Sequence, residues 1–109
     1  TTEQIRCGWF DNPTPNNASL LDQDGEWIIS RAGGENRGHE AAGKWPKFSK
    51  KNYTFTGRGS YGYGCTCMKV ISTLEGNEIV EIKWAKEKPL AACRKDPASK
   101  AKEPFNPLN

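Results

Sequence analysis

The four cysteines are the residues of this chain whose spacing most constrains their chemistry. Cys65 and Cys67 lie two residues apart on a predicted strand, so both side chains point to the same face. A direct bridge between them would need strained geometry, and each is therefore expected to pair with a distant cysteine. Cys7 and Cys93 are the available partners, and two pairings remain open. The sequence thus predicts two disulfides that each close a long loop.

A metal site and a redox-active dithiol fit the same cysteines less well. Zinc ligand pairs are usually separated by two to four residues, whereas a single residue separates Cys65 from Cys67. The familiar redox motif has two intervening residues. We therefore expect no metal ion and no cofactor. Paired cysteines indicate an oxidising compartment, so the expected location is periplasmic or secreted.

His39 and a group of acidic residues are the remaining candidates for catalysis. A solvent-facing loop residue is the simplest interpretation of His39, which has no metal-ligand pattern around it. Asp22, Asp24 and Glu26 suggest a calcium loop or a carboxylate pair for glycoside hydrolysis. The calcium pattern lacks its third acid, its glycine and its terminal glutamate, and turn aspartates that cap their own backbone explain the first two acids. No catalytic residue is assigned.

The segment of residues 58–64 has the composition of a contact surface, because it interleaves one arginine, several glycines and two tyrosines. A similar mixture stacks on single-stranded nucleic acid, but a net charge of only +3 and the predicted disulfides argue against that partner. Tyrosine and arginine dominate the hot spots of protein interfaces. The candidate binding residues are Trp45, Arg58, Tyr61, Tyr63 and His39.

Length and composition limit the fold that must position these residues. The 109 residues accommodate one domain, and only 35% of them are apolar, with eleven glycines and seven prolines. Hydrophobic burial alone therefore leaves a small margin over conformational entropy. A disulfide contributes roughly 2–4 kcal/mol, which is comparable with the net stability of a small domain.

Alternating patterns and turn residues predict strands in the first third of the chain. Ile5, Cys7 and Trp9 alternate on a strand whose face should be buried. Residues 11–17 are almost entirely turn formers and are expected to be a loop. The pair at residues 24–25, Asp-Gly, is a strong signal for a hairpin. Residues 31–51 are expected to make a long surface excursion.

The rest of the domain is also predicted to be extended. Residues 61–73 form a strand with both central cysteines on one face, and residues 75–77 predict a second hairpin turn. On the next strand Val80, Ile82 and Trp84 make an apolar face. Residues 90–94 are either one helical turn or an extended segment that docks Cys93.

These patterns predict an all-β fold, either a small antiparallel sheet or a partly open barrel of about five to six strands, with two disulfides. The domain is expected to span residues 1–95. Residues 96–109 are rich in proline and lysine and are expected to form a C-terminal tail. No stretch approaches the roughly 20 apolar residues of a transmembrane segment. The polar opening of the chain is what a mature protein shows after removal of a targeting segment.

Five short motifs occur together in this chain: Cys7-Gly8-Trp9-Phe10, Asn12-Pro13-Thr14-Pro15, Asp24-Gly25-Glu26-Trp27, Gly33-Gly34 and Gly62-Tyr63-Gly64-Cys65-Thr66-Cys67. Their combination resembles a family of small exported bacterial proteins of unknown function. The resemblance covers residues 5–94 and implies export, a bacterial source and the four-cysteine framework. It carries over no activity and no catalytic residue.

The sequence therefore predicts a secreted or periplasmic binding protein without catalytic activity. A small disulfide-linked domain is rigid, and rigid loops bind without an ordering cost. The form we expect is an inhibitor or immunity protein that acts on a cell-wall hydrolase, with a protein or a cell-wall glycan as partner. The alternatives are a small exported enzyme that uses His39 on a glycan or peptide, and a structural envelope protein.

Overall fold

A computed structural model describes residues 2–14, 17–30, 44–57, 59, 61–73 and 77–104 of the chain. The strands are β1 (Thr2–Thr14), β2 (Asn17–Asp22), β3 (Gly25–Ser30), β4 (Tyr53–Phe55), β5 (Gly62–Ser72) and β6 (Ile79–Lys88). A 3₁₀ turn covers Lys50–Asn52, and two short helices follow the strands, α1 (Leu90–Lys95) and α2 (Pro97–Lys100). Within these ranges, no helix has the length and apolar character needed to span a membrane.

The six strands form one antiparallel sheet, which confirms the predicted fold class. The order is β3-β2-β1-β5-β4, and β6 pairs with β5 beyond the short β4. The two ends of the sheet meet where the backbone N–H of Ile28 donates to the carbonyl of Asn77 at 2.6 Å, beside an isolated bridge from Ile28 to Glu78. The open sheet therefore curls around one of its faces.

The inner face of the curled sheet carries the main hydrophobic core. The buried residues of this core are Phe10, Ala18, Leu20, Ile29, Met68, Val70, Ile79 and Ile82. They come from five strands, since β4 adds none of them. The core therefore depends on pairing between distant parts of the chain and not on any one hairpin.

The apolar face predicted for β6 is wrong in detail. Two register shifts in the pairing of β5 with β6 each insert one extra residue into β6. Such bulges reset the alternation of side chains. As a result Ile79, Ile82 and Ala85 all reach the core although they are three residues apart. Val80 and Trp84 are only partly buried and lie outside this cluster.

The outer face of the sheet is covered by α1 and α2 over part of its length. A second buried cluster consists of Trp9, Tyr63, Cys65 and Cys93. The indole N–H of Trp9 donates to the backbone carbonyl of Ser99 at 2.8 Å. Beyond the helices the cover ends, and Ile5 is 60% exposed. The prediction of one buried face for Ile5, Cys7 and Trp9 is therefore wrong for the first two, which are both exposed.

Both predicted disulfides are present, and the pairing is Cys7–Cys67 and Cys65–Cys93. Cys7 and Cys67 face each other across β1 and β5 with their Cα atoms 4.0 Å apart. Cys93 lies on α1, so residues 90–94 are helical and dock this cysteine on β5. All four cysteines are therefore used in cross-links.

The predicted loop at residues 11–17 is wrong for residues 11–14 and 17, which lie in strands, and residues 15–16 lie outside the described residues. β1 continues to Thr14 and pairs with β2 from Asn17 onward, with a register shift between Asp11 and Thr14. Pro13 lies inside this irregular stretch and is exposed, which suits a residue without an N–H to donate. The hairpin between β2 and β3 is confirmed, and Gly25 there takes a φ of 124° that favours glycine.

The start of the expected C-terminal tail packs on the body of the protein. Asp96 caps α2 by accepting a hydrogen bond from the backbone N–H of Ala98 at 3.2 Å. Glu103 accepts a hydrogen bond from the hydroxyl of Tyr63 at 2.6 Å and two from the guanidinium of Arg94. These contacts hold residues 96–103 against the rest of the protein, and residues 105–109 lie outside the described ranges.

Gly8 marks the closest approach between β1 and the hairpin of β2 and β3. A Cβ at this position would overlap the backbone carbonyl of Leu21 and lie 3.1 Å from the Cα of Asp22. Gly8→Ala is therefore expected to lower the free energy of unfolding by about 3 kcal/mol, measured in guanidinium chloride with the disulfides intact. Gly57→Ala is the control, because its Cβ meets only Tyr61 at 3.7 Å and should cost less than about 0.5 kcal/mol. Equal effects would contradict the close approach.

The two disulfides differ in their access to solvent. Cys7 is exposed, whereas Cys65 and Cys93 are buried under α1. Since thiol–disulfide exchange depends on access to a sulfur, mild reduction of the native protein should open the Cys7–Cys67 bond first. Brief reduction, alkylation and mass spectrometry should label Cys7 and Cys67 before the other pair. Equal labelling of all four cysteines at the earliest time would show that opening is global.

Candidate functional site

A cavity of about 320 Å³ opens on the inner side of the sheet, where residues 45–48 pass over the end of β1. Five rings line it, contributed by Phe10, Trp45, Phe48, Tyr53 and Phe55. Asn12, Pro46 and Lys47 complete the lining. We call this cavity the aromatic cleft.

The rings of the aromatic cleft hold one another in a continuous row. The ring of Phe10 lies 5.5 Å from that of Trp45 and 6.2 Å from that of Phe48. Tyr53 continues the row at 5.1 Å from Phe48, and Phe55 follows at 5.0 Å from Tyr53. Aromatic pairs at such distances contribute about 0.5–1.5 kcal/mol each beyond their buried area. The rings therefore support one another across the cleft.

Two glycines of β5 make room for these rings. A Cβ at Gly64 would lie 2.6 Å from the ring of Phe48, and one at Gly62 would lie 2.7 Å from the ring of Tyr53. Any larger residue at either position would push a ring away from the sheet. Packing against the cleft thus explains Gly64, whereas at Gly62 the backbone carbonyl of Thr54 on the neighbouring strand is an even closer obstacle to a side chain.

Residues 44–51 are fixed to the sheet from their other side. The backbone N–H of Ser49 donates to the carboxylate of Glu87 at 2.6 Å, and its hydroxyl donates at 2.8 Å. These hydrogen bonds lower the pKa of the Glu87 carboxyl. β6 therefore anchors the segment that carries two of the five rings.

The phenol and the amide that line the aromatic cleft are uncharged near pH 7. Burial, together with the charge of Asp11, raises the pKa of Tyr53 to about 12, although a hydrogen bond with Asn12 acts in the opposite direction. The phenol of Tyr53 is therefore protonated at physiological pH. Asn12 is buried at the base of the cleft and adds an uncharged amide.

Two features of the aromatic cleft are unfavourable for a protein that binds nothing there. Phe55 is 42% exposed. The indole N–H of Trp45 is buried and finds no hydrogen-bond acceptor in the part of the chain that the structure describes. A buried donor left unpaired costs about 1–3 kcal/mol. A ligand could displace the atoms that bury this N–H and accept a hydrogen bond from it. Such a ligand would recover that free energy.

The candidate residues from the sequence are not gathered at one place. Trp45 lines the aromatic cleft. Tyr63 points to the opposite face, where it is 2% exposed and packs edge-on against Trp9 at 5.3 Å between ring centroids. Its hydroxyl is engaged by Glu103. Tyr63 is therefore buried by packing on the outer face, and its role in binding stays a prediction.

The remaining candidates are Tyr61, Arg58 and His39. Tyr61 is partly buried immediately before β5 and does not line the aromatic cleft. Arg58 and His39 lie outside the described residues. Their proposed roles in binding stay predictions.

Sequence reasoning missed most of the rings that form the cleft. The spacing of Tyr53 and Phe55 was the available signal, because alternate residues of a strand share a face. Phe10 gave no such signal, because the alternating pattern of this strand predicted that the face with Cys7 and Trp9 is buried, and Phe10 lies on the other face. Which rings meet depends on the pairing of β1, β4 and β5, and local spacing does not determine that.

The acidic residues of the first hairpin have a structural role. Asp22 accepts a hydrogen bond from the backbone N–H of Asp24 at 2.9 Å, which confirms the turn-capping interpretation for Asp22. The Arg6 guanidinium binds both carboxylates at 2.8 and 2.9 Å and stacks 3.8 Å from the ring centre of Trp27. The described residues contain no group of three or more His, Cys, Asp or Glu side chains suited to a metal ion.

Comparison with known proteins identifies one match. A family model described as "Protein of unknown function (DUF4087)" matches residues 1–100. Neither the curated proteins nor the solved structures include a significant match. The matched range contains all six strands, both helices and both disulfides. It also contains every residue of the aromatic cleft.

Asp11 lies on β1 between two residues of the aromatic cleft. The pH dependence of stability that its titration causes tests how deeply this part of β1 is buried. Burial raises the pKa of Asp11 to about 6, and the charge of Glu26 adds to the shift. Between about pH 4 and pH 6 the folded protein therefore binds a proton that the unfolded chain has released, and stability falls as pH rises. Asp11→Asn should remove this fall.

At pH 7.5 the Asp11→Asn variant should be about 1 kcal/mol more stable than the wild type, allowing for solvent screening of a partly exposed group. Near pH 4 the difference should vanish. Chemical denaturation over this pH range measures both values. Glu3→Gln, at an exposed position of the same strand, should follow the wild-type curve. Parallel curves for Asp11→Asn and wild type would contradict the raised pKa.

Proposed function

The chain belongs to the DUF4087 family, whose function is unknown, and we propose that it is an exported binding protein without catalytic activity. The proposed site is the aromatic cleft, which receives an apolar side chain of a protein partner. The observation that carries this proposal is a cavity lined by five rings, one of which, Phe55, is 42% exposed.

The size and chemistry of the aromatic cleft support a side chain as its occupant. Its volume of about 320 Å³ is at the lower limit of small-molecule sites, which span roughly 300–1,000 Å³. A single large side chain fills a cavity of this size. Interface hot spots are apolar or aromatic anchors that enter such pockets on a partner.

The rigidity of the surrounding structure supports tight binding by a small surface. The walls of the cleft are β1, β4 and the segment that Glu87 holds in place. β1 is cross-linked to β5 by the Cys7–Cys67 disulfide. Little conformational freedom is left to lose on binding, which lowers the free-energy cost of association.

The compartment and the biological action are further parts of the proposal. Two disulfides fit an oxidising environment, and we place the protein in the periplasm or outside the cell. A rigid domain that holds its partner by one anchor covers the partner's surface around that anchor. Inhibition of a cell-wall hydrolase is the action we propose, on the basis of size, compartment and rigidity.

An NMR titration of the ¹⁵N-labelled protein tests the proposed site. N-acetyltryptophanamide should shift the amide signals of the cleft residues, whereas an N-acetylglucosamine oligomer should not. Phe55→Ala should weaken this binding about tenfold, since it removes the exposed wall of the cleft. Ile5→Ala, another exposed apolar residue on the opposite face, should leave the affinity unchanged.

Two outcomes would overturn the proposed site. The first is an absence of cleft shifts with N-acetyltryptophanamide at its solubility limit. The second is a glycan that shifts the cleft signals while the amino-acid derivative does not, because the cleft would then be a sugar site.

A further inference from the structure

The segment that covers the aromatic cleft is strongly basic. Residues 44–51 contain four lysines and no acidic residue. The lysines, all of them exposed, are Lys44, Lys47, Lys50 and Lys51. Lys47 lines the cleft itself. Glu87 is held against this segment by Ser49, and its negative charge acts on Lys51, so one acidic residue partly offsets the four lysines.

The rest of the chain does not share the positive charge of this segment. The formal net charge is +3, so the chain without these four lysines carries a net charge of −1. Positive charge is therefore concentrated on the eight residues that supply Trp45 and Phe48 to the cleft. A patch of one sign next to a binding site attracts partners of the opposite sign and raises their association rate.

We infer that the aromatic cleft recognises an acidic peptide segment, in which one large apolar side chain is flanked on both sides by aspartate or glutamate. This inference rests on the proposed function and adds the chemistry of the partner. The anchor fills the cavity, and the flanking carboxylates lie against the lysines of residues 44–51. The two parts of the site thus match the two parts of the ligand.

The arrangement of the rings favours a peptide over a nucleic acid. Bases stack on exposed ring faces, one base on each ring. Here Phe10 and Trp45 meet at an interplanar angle of 63°, and Tyr53 and Phe55 meet at 75°. Phe48 lies at only 31° to both Phe10 and Tyr53, but the rings at the two ends of the row are turned across it, so the row forms the walls of a notch. Phe55 is the one ring of the cleft classed among the exposed large hydrophobic residues.

The lysines are expected to set specificity and salt dependence more than total affinity. Exposed ion pairs contribute only about 0.2–1 kcal/mol each, and dissolved salt screens them. Desolvation of the anchor in the ring-lined cavity supplies most of the affinity. Selectivity for acidic flanks should therefore be largest at low ionic strength and disappear at high ionic strength.

Fluorescence anisotropy with four labelled pentapeptides tests this inference. Three have a central tryptophan with glutamate, serine or lysine at the other positions, and the fourth has alanine between glutamates. At about 20 mM salt the glutamate peptide should bind at least about tenfold more tightly than the lysine peptide, and the alanine peptide should not bind. The difference should vanish at about 0.5 M salt.

Charge reversal provides the matched variants. Lys47→Glu combined with Lys50→Glu should invert the preference between the glutamate and lysine peptides. Lys95→Glu combined with Lys100→Glu changes the net charge equally but lies on α1 and α2, and it should preserve the preference. Circular dichroism of both double variants verifies that the fold is unchanged.

The outcomes separate this inference from the proposed function. Equal binding of the glutamate, serine and lysine peptides, lost in Phe55→Ala, would overturn the acidic partner and leave the binding cleft intact. Absence of binding by every tryptophan peptide would overturn both. Tighter binding of an oligothymidine than of the glutamate peptide at the same salt would replace the acidic peptide by a nucleic acid.

Discussion

The position of β5 in the middle of the sheet is the constraint on which the rest of the structure depends. One of its edges pairs with β1 over eleven consecutive positions, and the other is shared by β4 and β6. One of its faces carries the two neighbouring cysteines, and the other carries Met68 and Val70 in the main core. Because both edges and both faces of β5 are in contact with other elements, few substitutions in this strand are tolerated. Gly64 leaves room for the ring packed against it, and the two cysteines attach β1 and α1 to the strand.

This arrangement gives the protein two small buried regions instead of one large core. The outer region exists because α1 and α2 cover Trp9 and Tyr63, and it is fixed by hydrogen bonds to Ser99 and Glu103. The Cys65–Cys93 disulfide links α1 to the sheet. Since only about a third of the residues are apolar, neither region alone offers a large hydrophobic contribution. Cross-links and buried polar contacts supply the remainder.

The features predicted correctly from the sequence are those with local or covalent signals. Asp24-Gly25 defines a hairpin through its own backbone preferences, and the even number of cysteines in Cys-x-Cys spacing points to two long-range disulfides. The features that were predicted wrongly depend on pairing between strands that are distant in the sequence. β1 continues past Pro13 because β2 pairs with it there, and the bulges of β6 are visible only against β5. The aromatic cleft could not be predicted for the same reason, because its rings come from three separate segments.

The distribution of aromatic residues links the fold to the proposed binding role. Of the eleven tryptophan, tyrosine and phenylalanine residues in the chain, five line one cleft. Phe10 is buried, and Trp45 and Phe48 pack partly on the main core, but the row continues outward to Tyr53 and Phe55. A chain with a small stability margin would gain from burying those outer rings and pairing the indole N–H of Trp45. It keeps the outer rings instead at the mouth of a cavity beside four lysines. Under the proposed function, the free energy that these rings do not contribute to folding is available to a bound side chain.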